Sequence, residues 1–117
     1  MFEIKRVYEE RSEDDGYRVL VDRLWPRGLT KERANIHYWL KTIAPSHQLR
    51  KWFAHDIEKY EEFKRRYIEE LEQLDDRSEL NLLWQLNTDK KVTLLFSAKD
   101  QYHNNAIILK AFLEKKV

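Results

Sequence analysis

Two apolar runs constrain the fold most. Val19-Leu20-Val21, inside the segment Tyr17 to Leu24, and Val92 to Phe96 are short, β-branched or leucine-rich, and nearly continuous. A strand with one face in water alternates apolar and polar residues. An unbroken run suits a central strand covered on both faces, as in a parallel sheet. Phe2 to Tyr8 does alternate, with Phe2, Ile4 and Arg6 on one face and Lys5 and Val7 on the other, and reads as a shorter strand. Ser12 to Gly16 forms a turn, with Gly16 supplying positive φ.

The middle of the chain is helical. Ser46, after Pro45, is a predicted N-cap for a helix carrying Leu49, Trp52 and Phe53. Asp56 is the predicted cap of the next helix. Its stripe runs Ile57, Tyr60, Phe63, Tyr67, Leu71 and Leu74, spaced three or four apart. The charged opposite face, with Glu61, Lys64, Arg65, Glu69 and Glu72, reads as solvated surface. Ser78 is the predicted cap of a shorter helix with Leu80, Leu83 and Trp84 inward, and a last helix follows His103. The expected fold is a small, mostly parallel α/β sheet flanked by helices, with a three-layer tendency, as one domain over residues 1–117.

Composition narrows the function classes. With 22 Lys+Arg against 21 Asp+Glu, the net charge is +1, whereas proteins that bind long nucleic acid through electrostatics usually carry a larger excess. Nucleic acid is therefore a weakly supported partner. The absence of cysteine removes disulfides and thiolate chemistry and fits a reducing cytoplasm, the expected location. No signal peptide and no run of 18 apolar residues is visible, so no membrane partner is expected. His37, His47 and His55 show no metal-ligand spacing, and Gly-x-Ser-x-Gly and glycine-rich phosphate loops are absent. No metal and no cofactor is expected. The oligomeric state is left open.

The chemistry-bearing residues gather after the two apolar runs. Asp22-Arg23-Leu24-Trp25-Pro26-Arg27-Gly28 follows one, and Ser97 to Asn105 (SAKDQYHNN) follows the other. In open α/β sheets, ligands bind beyond the carboxyl ends of strands. If the two runs are parallel neighbours, these segments meet. Arg23, Arg27 and Lys99 would then surround the amide-rich start of the last helix, an arrangement suited to an anion. Trp25 could stack on a flat group. Each residue also has a structural reading: Arg23 pairing with Asp22 or Asp100, Trp25-Pro26 as a packing corner, Arg27 satisfying turn carbonyls, Asp22 fixing a loop, and Asn104 and Asn105 capping a helix. The sequence leaves both readings open.

The segments DGYRVLVDRLWPRGL, WLKTIAPSHQLRKWFAHD and VTLLFSAKDQYHNNAIILKAFL together resemble the YeaO-like branch of a broad prokaryotic family of unknown function, from about residue 3 to about residue 113. The resemblance implies a small α/β domain and no established reaction. The family pattern stresses Asp22, Arg23, Trp25, Pro26, Arg27, Gly28, Trp39, Pro45, Leu49, Arg50, Trp52, Phe53, His55, Asp56, His103 and Asn104, all matched here. More distant relatives carry Cys-His-Arg at the second strand exit. This chain has no cysteine, so thiol chemistry does not transfer. It also departs from closer relatives at His37 and Ala54, where an acidic residue and a glycine are expected.

Three functions follow as expectations. In the first, a cytoplasmic enzyme binds an anionic group through Arg23, Arg27 and Lys99. His55 or His103 moves a proton, Asp22 or Asp56 orients that base, and Asn104 and Asn105 contact the ligand, a phosphorylated small molecule, a nucleotide or a nucleic-acid end. In the second, the same residues form a non-catalytic nucleotide or single-stranded nucleic-acid module, with bases stacked on Trp25 and Trp52. In the third, the motifs only lock a loop, and the protein acts through partner surfaces. Whether the chain is an enzyme is not decided at this level.

Overall fold

The computed structural model describes residues 1–115. Four strands form one sheet: β1 (Phe2–Arg6), β2 (Tyr17–Leu20), β3 (Tyr38–Trp39) and β4 (Val92–Phe96), in the order β1-β4-β2-β3. Every pairing is parallel, with Ile4 and Val19 both beside Leu94. The two apolar runs are therefore central neighbours, and β4 is buried along its whole length. The helices are α1 (Lys31–Ala34), α2 (His47–Phe53), α3 (Tyr60–Glu72), α4 (Ser78–Asp89) and α5 (Asn105–Lys115). Among the described residues, no helix is long and apolar enough to cross a membrane.

Alternation along the central strands divides the core. Val19, Val21, Val92, Leu94 and Phe96 join the apolar faces of α2 to α5 in one large cluster. Leu20 and Leu95 point the other way. They meet Val7 and the partly buried Trp25, Leu29, Ile36 and Trp39. The second layer is thus thinner, built from the segment after β2 rather than from long helices. This small α/β architecture is the one expected from the sequence.

Several boundaries differ. β1 stops at Arg6 and β2 at Leu20, short of the predicted Tyr8 and Leu24, because the chain turns after Val21 donates its last amide bond to Leu95 O. The short β3 and α1 carry too few residues to show a period. Ile57 belongs to a 3-10 turn and is 56% exposed, so the buried stripe of α3 starts at Tyr60. Ser78 is the first residue of α4, not its cap. The N-cap position is Arg77, and the Ser78 amide donates to the Asp76 carboxylate. Ser46 caps α2 as expected, accepting from the Leu49 amide, and is itself held by Glu70.

Candidate functional site

The C-terminal ends of β1, β2 and β4 open into one cavity of about 930 Å³. Its walls include Arg6, Asp22, Arg23, Trp25 and Arg27 from the β1 and β2 ends, and Ser97, Lys99, Asp100, His103, Asn104 and Asn105 from the β4 exit. Arg50, Phe53 and His55 from α2 and its end, with Phe63 from α3, complete it. The middle helices do fold over the strand exits, a point that periodicity could not reveal. Tyr60 and Tyr67 hold them there by donating to Asn104 O and Ile43 O, respectively. Burial pushes the Tyr60 phenol up to about 12, so it remains a donor across the neutral range.

Asp22 organises the floor. Its carboxylate accepts from the Ser97 amide and hydroxyl at 2.8 and 2.7 Å and from the Asn105 amide group at 3.1 Å. These bonds tie the β2 exit to the β4 exit and to the first residue of α5. Burial pushes the Asp22 pKa up, against the opposing effects of Ser97, Asn105 and nearby His55. A carboxyl group held in this way is a common feature of functional clefts. Asn105 also donates to Val21 O.

The arginines sort into two groups. Arg23 donates to Pro45 O and Ala44 O at 2.9 and 3.2 Å, and Arg6 donates to Ala98 O and Ser97 O. Both brace loops, and Arg23 pairs with neither Asp22 nor Asp100. Arg27 is the reverse case: its backbone carbonyl accepts from the Tyr8 hydroxyl, while its guanidinium has no bonding partner among the described residues. Lys99 is likewise unpaired there. Among the described residues the Arg50 guanidinium bonds only to His47, and its buried Nε has no acceptor. Arg27, Arg50 and Lys99 are thus three cations around one cavity without a carboxylate partner among the described residues.

The second strand exit holds a histidine–carboxylate pair. His103 Nδ1 lies 2.9 Å from Asp100 Oδ2, and the Tyr60 ring meets the imidazole edge-on at 5.1 Å. The Asp100 pKa is lowered, first by the Tyr102 amide and then by His103. Asp100 is the partner that the sequence reading did not assign to His103, although the Asp-x-x-His spacing across the turn was visible. Asn104 is a helix cap: Oδ1 accepts from the Ile107 amide and Nδ2 donates to Asp100 O, so its side chain is committed within the protein.

Three expectations are displaced. Asp56 does not line the cavity; its carboxylate accepts from the Glu58 amide, capping the turn before α3, and is not placed to orient a base. Trp25 donates to Leu29 O and packs edge-on against Trp39, forming a structural corner that also borders the cavity. Trp52 lies outside the cavity, with Arg66 and Lys59 over its ring. Among the described residues, no three His, Asp or Glu side chains are placed to hold a metal ion.

His55 reaches the cavity through an unusual backbone. Ala54 ends α2 at φ 46° and His55 follows at φ 59°, two consecutive left-handed non-glycine residues. Each costs an L-residue roughly 1 kcal/mol, and glycine is favoured at a helix C-terminus for this reason. Ala54→Gly is expected to raise the melting temperature by about 4 °C, read by calorimetry.

Comparison with known proteins places this geometry in context. A family model described as the inactive DUF488-N3 subclade matches residues 1–117. The chain is 40% identical over 109 residues to the uncharacterized protein YeaO of Escherichia coli (strain K12), covering 93% of each. It is 39% identical over 110 residues to the uncharacterized protein Rv3073c of Mycobacterium tuberculosis, covering 94% of this chain and 91% of that one. No solved structure matches it.

Proposed function

This chain belongs to the inactive DUF488-N3 subclade, the YeaO-like branch of its family, and from that premise we propose that it is a cytoplasmic protein that binds a small phosphate-bearing anion at its strand exits and holds it without transforming it. The observation that carries the reading is the trio Arg27, Arg50 and Lys99 around one cavity, with a buried Arg50 Nε lacking any acceptor. Guanidinium groups donate paired, bidentate hydrogen bonds to phosphate oxygens. An unpartnered buried donor is uncommon enough to call for a partner. The word inactive in the family description supports holding over turnover. So does the cysteine-free strand exit, since the resemblance puts a Cys-His-Arg there in distant relatives.

A catalytic reading has one observation in its favour, the Asp100–His103 pair. A carboxylate on Nδ1 leaves Nε2 as the proton-accepting atom of the neutral ring. The strand-binding reading loses its second stacking platform, because Trp52 is covered.

The test is isothermal titration with inorganic phosphate on wild type and on an Arg27→Ala/Arg50→Ala variant. Neither side chain bonds to a carboxylate, so folding stability should change by no more than about 1 kcal/mol. Affinity should fall at least tenfold. Equal affinity in both proteins would sink the assignment. Turnover of a bound phosphate ester that disappears in His103→Gln would favour the catalytic reading.

A further inference from the structure

The same cavity also says what accompanies the anion, and this step rests on the anion-binding reading above. Several of its hydrogen-bond acceptors are in use, although His103 Nε2 and Asn105 Oδ1 are not. Asp22 receives three donors, from Ser97 and Asn105, and Asp100 receives three, from Tyr102 and His103. The loop carbonyls of Ala44, Pro45, Ser97 and Ala98 already accept from Arg23 and Arg6. The unpartnered donors include the cationic groups of Arg27, Arg50 and Lys99.

The rest of the wall is apolar. Phe53 and Phe63 stack on each other at 4.2 Å and 15° and, though buried, border the cavity with apolar atoms. Leu24 is 53% exposed yet lines the same space, beside Pro26. An exposed leucine at a cavity mouth is an unsatisfied apolar contact that a ligand body can cover. At about 930 Å³ the space far exceeds what inorganic phosphate occupies and falls within the range of organic-ligand sites.

We infer that the ligand is a phosphomonoester of an apolar group, with its phosphate on Arg27, Arg50 and Lys99 and its body against Leu24, Pro26 and the Phe53–Phe63 pair. A polyol phosphate fits the cationic end but not the apolar wall. A nucleic-acid strand would need several open aromatic faces in a row, and Trp25 is already packed on Trp39.

Titration of the full-length protein with phenyl phosphate, 1-naphthyl phosphate, glycerol 3-phosphate and inorganic phosphate tests this. The aryl phosphates should bind at least tenfold more tightly than the other two, and Leu24→Ser should draw the aryl-to-inorganic ratio towards one. If all four bind alike, the inference about the body is wrong while anion binding stands. If glycerol 3-phosphate binds best, the inference is likewise overturned, in favour of a polyol ligand. If none binds, both readings fail together.

Discussion

Gly16→Ala is expected to remove about 4 kcal/mol or more of folding stability, a large fraction of what a domain of this size possesses. Gly16 sits at φ +66°, where an added Cβ would lie 2.0 Å from the backbone oxygen of Lys91 and 2.8 Å from its carbonyl carbon. Neither atom can rotate away, because that oxygen accepts from the Tyr17 amide and so fixes the start of β2 against the start of β4. Relief of the overlap requires the two central strands to separate. Gly28→Ala is the control. It has a similar φ of +77° but nothing within 4 Å, so only the left-handed backbone is penalised, by about 1 kcal/mol. Urea unfolding of both variants measures the difference. Equal losses would mean that the contact with Lys91 has no energetic consequence.

What could be read from the sequence followed what is local. The apolar runs announced two covered strands because burial on both faces removes the alternation, and β2 and β4 are those strands. The stripe from Tyr60 to Leu71 marks the inner face of α3, and Ser46 marks the cap of α2. The meeting of the two strand exits follows from β2 and β4 being parallel neighbours. What each cation does there was not legible. Arg23 and Arg50 look alike in sequence, yet one spans two carbonyls while the other keeps a buried Nε without an acceptor. That depends on which loop carbonyls fold near them, a long-range outcome. Asp56 keeps the capping role expected of it but not that of orienting a base, and Asp100, expected only as a partner for Arg23, reaches a histidine instead.

Arg18 shows the same limit with a larger consequence. In the run Tyr17-Arg18-Val19-Leu20 it reads as the one polar position of a strand, but it is 1% exposed. Its guanidinium donates to Asp15 Oδ2 at 2.6 Å, to Ala34 O at 2.8 Å and to Asn35 O at 3.0 Å, joining the β2 start to the C-terminal end of α1. Lys5 reaches the same carboxylate at 3.1 Å. Arg18→Ala is expected to cost about 3–5 kcal/mol, since it leaves two carbonyls and part of a carboxylate desolvated without their donor. Arg18→Lys keeps the charge but cannot span three acceptors, so it should recover only part of the loss. The pH dependence identifies the partner. Burial alone would raise the Asp15 pKa, but the Ser12 amide, Lys5 and Arg18 together outweigh it and lower it. A carboxyl with a depressed folded pKa contributes stability above its unfolded value, near 4, and loses it as pH falls through the folded value. Chemical denaturation of wild type should therefore weaken below about pH 4, and this acid-dependent step should shrink in Arg18→Ala. An undiminished acid step would show that Lys5 and the Ser12 amide, not Arg18, hold Asp15 ionised.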